Sequence, residues 1–152
     1  MWVVGVLEPL RLTAAPGEGG YAVVASADVP LSELSLDELR RVFLFKRLFW
    51  KPGKTVRVVL PATGHPARAF LLEHVCQRSE GDLRRLILES MYRGESDQPP
   101  RVASSDGEAL GFLASSAGAI ALVSSEASMP AGVKMLKIDG KLPSDQDYPL
   151  GR

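Results

Sequence analysis

LDELRRVFLFKRLFWKPGKTVRVVLPATG, residues 36–64, carries a dense run of structural signals. Ser35, just before it, suits a helix N-cap, and Glu38 three residues on completes a capping box. Leu34 and Leu39 occupy the hydrophobic-staple positions around that cap. Leu39, Val42, Phe43 and Lys46 follow at helical spacing, so the Leu/Val/Phe side faces a core. Pro52-Gly53 is a turn signal. Thr55 to Leu60 reads as a buried strand, with Val56, Val58 and Val59 supplying β-branched bulk. Pro61 to Pro66 is a short polar loop opening the next helix, where Pro66 suits the first turn. A strand, a tight loop and a helix start, in that order, is how an α/β domain presents backbone N–H groups to an anion.

Outward from this stretch, Tyr21 to Ala25 is a short apolar run that reads as a buried strand. Residues 13–20, TAAPGEGG, read as a link, so residues 1–20 form an extension ahead of an α/β domain at 21–152. After the loop, Ala67, Phe70, Leu71, His74 and Val75 mark one helix face. Ser79 with Asp82 starts another helix, with a stripe of Leu83, Leu86, Ile87 and Met91 and a stop at Gly94. Val102 falls in a short extended piece after Pro99-Pro100. Ser105 and Glu108 form a third capping box for a helix from Asp106 to Ser116, with Gly118 as its C-terminal cap. Ala119–Val123 and Val133–Ile138 read as strands, and Asp139-Gly140 as a turn. Four strands alternating with four helices favour a largely parallel sheet, with the last two strands pairing antiparallel across a short Gly/Pro loop. The expected core contains Leu39, Phe43, Val58, Phe70, Leu86, Leu113 and Ile120.

Composition narrows the function classes. The chain has 152 residues, enough to bury a core, and equal numbers of basic and acidic residues, 18 each. No global basic field favours nucleic acid. Cys76 is alone, so no intramolecular disulfide reports the compartment. No apolar run is long enough to span a membrane, so no membrane insertion is expected. Trp2 to Leu7 is apolar but short, lacks a preceding Lys or Arg and ends at Glu8-Pro9, so no secretory signal is visible.

Several segments match a known family in order. Leu34, Leu39, Val42, Phe43, Lys46 and Trp50 follow a Leu/Leu/Ile-Phe/Lys/Trp helix pattern, with Phe45 where the pattern usually has Gly. Thr63-Gly64-His65, then Phe70, stand where a Ser-Gly-Thr loop opens a Phe-bearing helix. Gly118-Ala119-Ile120-Ala121-Leu122 corresponds to a Gly-Ala-Ile-Gly-Tyr strand, and Tyr148-Pro149-Leu150 to a Tyr-Pro-Leu near the end. Together these resemble one lobe of the two-lobed phosphate-binding receptors of bacterial ABC importers. The resemblance implies a single three-layer α/β lobe with a mixed, mostly parallel sheet, like one domain of a type II periplasmic binding protein. It also implies a non-enzymatic solute-binding protein, a periplasmic or extracytoplasmic location and an ABC permease as partner. In the family an Arg four residues before the Ser-Gly-Thr loop grips phosphate; that position here is Val59, and the loop's Thr is His65. Losing an Arg–phosphate contact and a hydroxyl hydrogen bond costs on the order of a hundredfold in affinity, so oxyanion binding is expected to be weak or lost.

The ligand-binding candidates are therefore Thr63, Gly64 and His65. Gly64 permits close backbone approach, Thr63 offers a hydroxyl, and His65 would add positive charge below about pH 6.5. Arg40, Arg41, Lys46, Arg47, Lys51 and Lys54 cluster with Phe45, Phe49 and Trp50, which reads as a solvated helix face rather than an RNA-stacking surface. His74 reads as a core-edge histidine, and no His, Cys or carboxylate spacing suits a metal. No nucleophile–base frame, Walker loop or dinucleotide fingerprint occurs, so neither an enzyme nor a cofactor is expected. The rival to oxyanion binding is a protein-interaction or adaptor module that uses the lobe surface, with a homodimer among its forms.

Overall fold

Three serines start three of the helices in the computed structural model, which describes residues 20–94 and 99–151. Ser35 accepts the Glu38 N–H at 3.0 Å, and Glu38 accepts the Ser35 N–H at 2.8 Å, so the capping box forms ahead of α1 (Leu36–Phe43). Ser79 accepts the Asp82 N–H ahead of α3 (Glu80–Tyr92), and Ser105 accepts the Glu108 N–H ahead of α4 (Asp106–Ser115). Between them, α2 (Pro66–Phe70) runs directly into a π-helical turn, Leu71–Cys76. The extension expected at residues 1–20, with its apolar run Trp2–Leu7, lies outside the described residues except for Gly20.

The strands are β1 (Tyr21–Ser26), β2 (Glu33–Leu34), β3 (Phe49–Lys51), β4 (Lys54–Thr55), β5 (Arg57–Pro61), β6 (Arg101–Ala103), β7 (Ala119–Ser124) and β8 (Val133–Ile138). Six of them form one sheet in the order β2-β8-β1-β7-β5-β6. β5 pairs parallel with β6 and β7, and β2 pairs parallel with β8. β1 is antiparallel to both neighbours, with Val24 opposite Ala121 on one side and Met135 on the other. The sheet is thus mixed and mostly parallel, with β1 alone running against the rest.

Alternation along the central strands builds a core on each face. Tyr21, Val23, Ala25, Val58, Leu60, Ile120 and Leu122 pack toward α1, α2 and α3, with Leu39, Phe43, Leu71, Val75 and Leu83. Ala22, Val24, Val59, Ala119, Ala121 and Val123 pack toward α4, with Ala109, Leu110 and Leu113. This is the expected three-layer α/β lobe. The chain end belongs to it: Tyr148 and Leu150 are buried in the first core, and the Tyr21 N–H donates to the Leu150 carbonyl.

Several local expectations change. β7 and β8 do not pair with each other but flank β1, because all six residues of β1 are buried and both of its edges need partners. The expected strand at 55–60 is broken at Val56, whose N–H donates to the Leu48 carbonyl; the residues before it close the β3–β4 hairpin and those after it join the main sheet. The π-helical turn rotates the second helix, so Ala67, Leu71, Val75 and Cys76 are buried while Phe70 is half-buried. Leu86 is likewise half-buried, since α3 offers mainly Leu83 to the interior. Leu39, Phe43, Val58, Leu113 and Ile120 are core residues as expected.

Gly118 is not a helix cap, since α4 ends at Ser115; it is the crossing point that starts β7. Its carbonyl accepts the buried Trp50 Nε1–H and the Arg57 N–H, both at 2.9 Å, and its N–H donates to the Asp28 carboxylate. Its φ is +71°, and a Cβ there would stand 2.4 Å from the Thr55 carbonyl oxygen. Gly118→Ala is therefore expected to destabilise the fold by about 3 kcal/mol, through a backbone clash added to a left-handed conformation; chemical denaturation checks this. An unchanged denaturation midpoint would contradict it.

Candidate ligand-binding loop

The parallel strands β5 and β6 end side by side, and the helices that follow them start there. The Ala62 N–H donates to the Ala103 carbonyl at 2.9 Å, joining the two strand ends. Residues 62–65 then turn into α2, and Ser104-Ser105 turn into α4. Thr63, Gly64 and His65 are brought together in this one turn, at the end of a sheet where α/β folds place ligands.

The turn is closed by the His65 N–H donating to the Ala62 carbonyl at 3.0 Å. Gly64 has φ +92°, and its missing Cβ would meet nothing within 4 Å, so glycine serves the backbone conformation and keeps the face open. Thr63 and Gly64 are exposed and make no hydrogen bond within the described residues. Their N–H groups and the Thr63 hydroxyl are open to solvent or a ligand.

His65 has another task. Its Nδ1 accepts the Ala67 N–H at 3.0 Å, making it the N-cap of α2. Nδ1 is thus an acceptor spent on the helix start, not a donor turned toward a ligand. The sequence offers His65 as a cation but does not reveal this role, because histidine is not among the favoured N-caps.

The surroundings are sparing toward an anion. A recess of about 10 Å³ lies beside the turn, bordered by Val59, His65, Ser105 and Asp106. That is room for about one water and too small to enclose phosphate. Val59, where the resemblance places a phosphate-gripping Arg, borders this recess but is 1% exposed and packed against α4. Asp106 brings a carboxylate to the same edge, where it accepts the Ser124 N–H. Glu108 occupies the same first turn and accepts the Ser104 N–H at 2.8 Å. The positive end of α4 is therefore already met by two acids.

The nearby cation is also committed. Arg68 donates through Nε and Nη2 to both carboxylate oxygens of Glu80 and through Nη1 to the Pro61 carbonyl at 2.9 Å. It clamps the start of the loop to α3 and has its charge neutralised there.

The other candidates resolve as structure. Cys76 is fully buried, and that burial pushes its thiol up to about 11, so it is protonated and inert at neutral pH. His74 is exposed, not at the core edge; it stacks on Phe70 with ring centroids 4.5 Å apart. The π-helical turn accounts for this, since it carries His74 off the buried face. Trp50 is 4% exposed and inside the core, so the basic cluster around it lacks its central stacking platform. Among the described residues no group of His, Cys, Asp and Glu could hold a metal ion, and no helix is long and apolar enough to cross a membrane.

The architecture has solved counterparts. A proposed phosphate ABC transporter substrate-binding protein from Clostridium perfringens, with bound phosphate, superposes at a TM-score of 0.69 with 18% identity over 95% of this chain and 58% of that one. An ABC-type phosphate transport receptor from Vibrio cholerae gives 0.67 with 16% identity over 88% and 53% of the two chains. PstS from Borrelia burgdorferi gives 0.68 with 11% identity over 88% and 54%. The fold is that of one receptor lobe. The chain spans a little over half the length of these structures. The sequence matches no protein-family model and no curated protein.

Asp28, Glu38 and Glu80 are held below the usual carboxylate range, chiefly by the Gly118 N–H, the Ser35 N–H and the Arg68 guanidinium respectively. Their folded values lie below their unfolded ones, so their stabilisation is complete above about pH 4–4.5 and is lost as pH falls through the folded values. The unfolding temperature is expected to drop as the solution is acidified below about pH 4. Arg68→Met should flatten part of that dependence and cost about 1–3 kcal/mol at neutral pH. Calorimetric melts of both proteins across that range measure the difference; parallel curves would contradict the Glu80 assignment.

Proposed function

We propose that this chain is a non-enzymatic, solute-binding-type module that holds phosphate or a related oxyanion weakly at Thr63, Gly64 and His65. The observation that carries the reading is the turn after β5. Two neighbouring residues there, Thr63 and Gly64, have no partner within the described residues, at a helix start of the receptor-lobe fold. Weak binding follows from what surrounds them: the recess holds about one water, Asp106 borders it, and Arg68 is paired with Glu80. An anion gripped there stays largely hydrated, so each contact competes with water. An extracytoplasmic site of action and an ABC permease partner belong to the same reading, by analogy with the receptors whose lobe it resembles.

Phosphate titration by calorimetry and thermal shift tests this. A ligand that binds only the native state stabilises it by RT ln(1 + [L]/Kd), so ~10 mM phosphate against a millimolar Kd gives about 1.4 kcal/mol. The shift should be shared with sulfate, and Thr63→Val should lower affinity by up to about tenfold. A micromolar, phosphate-selective isotherm would overturn weak binding and restore a true receptor. Indifference to all oxyanions would overturn the ligand reading altogether.

A second reading, an interaction module without a small ligand, is favoured by one surface. Leu88 and Tyr92 lie one turn apart on α3 and are 51% and 89% exposed, an apolar pair on the outer face of the helix. A second copy of this chain is the partner that reading implies. Sedimentation equilibrium would then show a dimer that dissociates in Leu88→Glu; a monomer at all concentrations would rule it out.

A further inference from the structure

From Leu39 to Leu72 the chain carries eight Lys and Arg and no Asp or Glu, so its zero net charge hides a strongly basic stretch. Three of the eight are neutralised in the fold: Arg40 pairs with Asp37, Lys54 with Asp28 and Arg68 with Glu80. Arg41, Lys46 and Lys51 are exposed and make no ion pair with a described residue. Arg47 donates to the Phe49 and Trp50 carbonyls, each at 3.2 Å, which uses its donors and leaves its charge. Glu38 is held low chiefly by the Ser35 N–H and in smaller part by Arg47 and Arg41, so it offsets part of this charge. Lys46 and Lys51 have no such counterpart among the described residues.

These cations surround the β3–β4 hairpin, which forms a two-stranded sheet of its own. The Val56 N–H donates to the Leu48 carbonyl and the Trp50 indole to the Gly118 carbonyl, so the hairpin sits at the amino ends of β5 and β7. Along β3, Trp50 is buried while Phe49 and Lys51 face outward. Phe49 is 54% exposed. Pro52 and Gly53 at the turn are exposed, and a Cβ on Gly53 would meet nothing within 4 Å, so the tip projects from the lobe. A phenyl ring in water between unpaired lysines gains from a surface that is anionic outside and apolar within.

We propose that this hairpin, with Phe49 at its centre and Arg41, Lys46 and Lys51 around it, is a docking face for an anionic lipid surface. Lipid headgroups spread negative charge over a flat area, which flexible ammonium groups meet without a fixed geometry. The ring settles at the boundary between headgroups and acyl chains, as amphipathic surface elements do. The contact is peripheral, since no described helix is long and apolar enough to cross a membrane. β5 has five residues and spans about 16 Å, with the hairpin at its amino end and the 62–65 turn at its carboxyl end. A lobe resting on the hairpin therefore keeps Thr63 and Gly64 turned toward water.

The test is co-sedimentation of the full chain with lipid vesicles. The chain should adsorb to vesicles of about 30% phosphatidylglycerol in phosphatidylcholine at about 50 mM salt, leave them by about 500 mM, and ignore pure phosphatidylcholine. Lys46→Gln and Lys51→Gln should each weaken adsorption about fivefold with the melting temperature unchanged. A bimane dye on Phe49→Cys should shift to shorter wavelength on adsorption, and one on Thr63→Cys should not; Cys76 is buried and does not compete for the label. Inorganic phosphate at ~10 mM should release the chain no more than its ionic strength does. Equal adsorption to both vesicles, none at low salt, indifference to both lysine substitutions or an unmoved dye at position 49 would each overturn the proposal. Specific release by phosphate would overturn it too, assigning the cations to the free anion. Phe49 also lines a cavity beside β6, so binding of soluble polyglutamate without adsorption to either vesicle would make this a protein-docking face instead. None of these outcomes bears on weak phosphate binding at Thr63 and Gly64, which calorimetry reads without vesicles.

Discussion

The lobe is organised around one peptide unit. Gly118 receives the Trp50 indole N–H and the Arg57 backbone N–H on a single carbonyl, while its own N–H is held by Asp28, which also pairs with Lys54 at 3.1 Å. These contacts join the loop after β1, the β3–β4 hairpin, the start of β5 and the start of β7. Each group is intrinsically polar, and the Trp50 contact is buried, so the network would be costly if any member were missing. It also fixes register: with Arg57 tied to Gly118, Val58 meets Ile120, and the apolar sides of β5 and β7 face the same core. The carboxyl end of β5, and hence the position of the 62–65 turn, follows from that register.

Local signals were legible in the sequence, and distant ones were not. Ser35, Ser79 and Ser105 declare helix starts because a cap and its partner lie within one turn of chain. The strand–turn–helix at 57–66 is equally local, and Gly64 marks it through a backbone demand that other residues meet poorly. The place of β1 between β7 and β8 is not local: nothing near Tyr21 states which strands will satisfy its edges. The break at Val56 depends on Leu48 across the hairpin, and the π-helical turn has no composition that separates it from an α-helix. Resemblance to a receptor lobe supplied the three-layer arrangement, but not the place of β1 between β7 and β8.

The strand–turn–helix that carries the candidate loop was readable locally, yet the chemistry around the loop depends on neighbours hidden from the local reading. Sequence places Thr63, Gly64 and His65 at a helix start, but His65 is spent on the cap and Arg68 on Glu80. Asp106, far along the chain, arrives at the same edge because β5 and β6 are parallel neighbours. A parallel pair brings two helix N-termini together and doubles the field available to an anion. Here α4 has answered its own field with Asp106 and Glu108, so only the α2 end remains open to a ligand.

Charge is distributed unevenly between the two ends of the sheet, although the chain has no net charge. At the carboxyl end of the parallel strands, acidic residues offset the helix N-termini. At the amino end no helix start contributes, and the charge comes from Arg57 and Arg101 on the strands themselves, stacked on Phe112 rather than neutralised. The two ends therefore differ in kind as well as strength. The loop offers backbone N–H groups in an open, hydrated setting, which suits a small oxyanion that keeps most of its water.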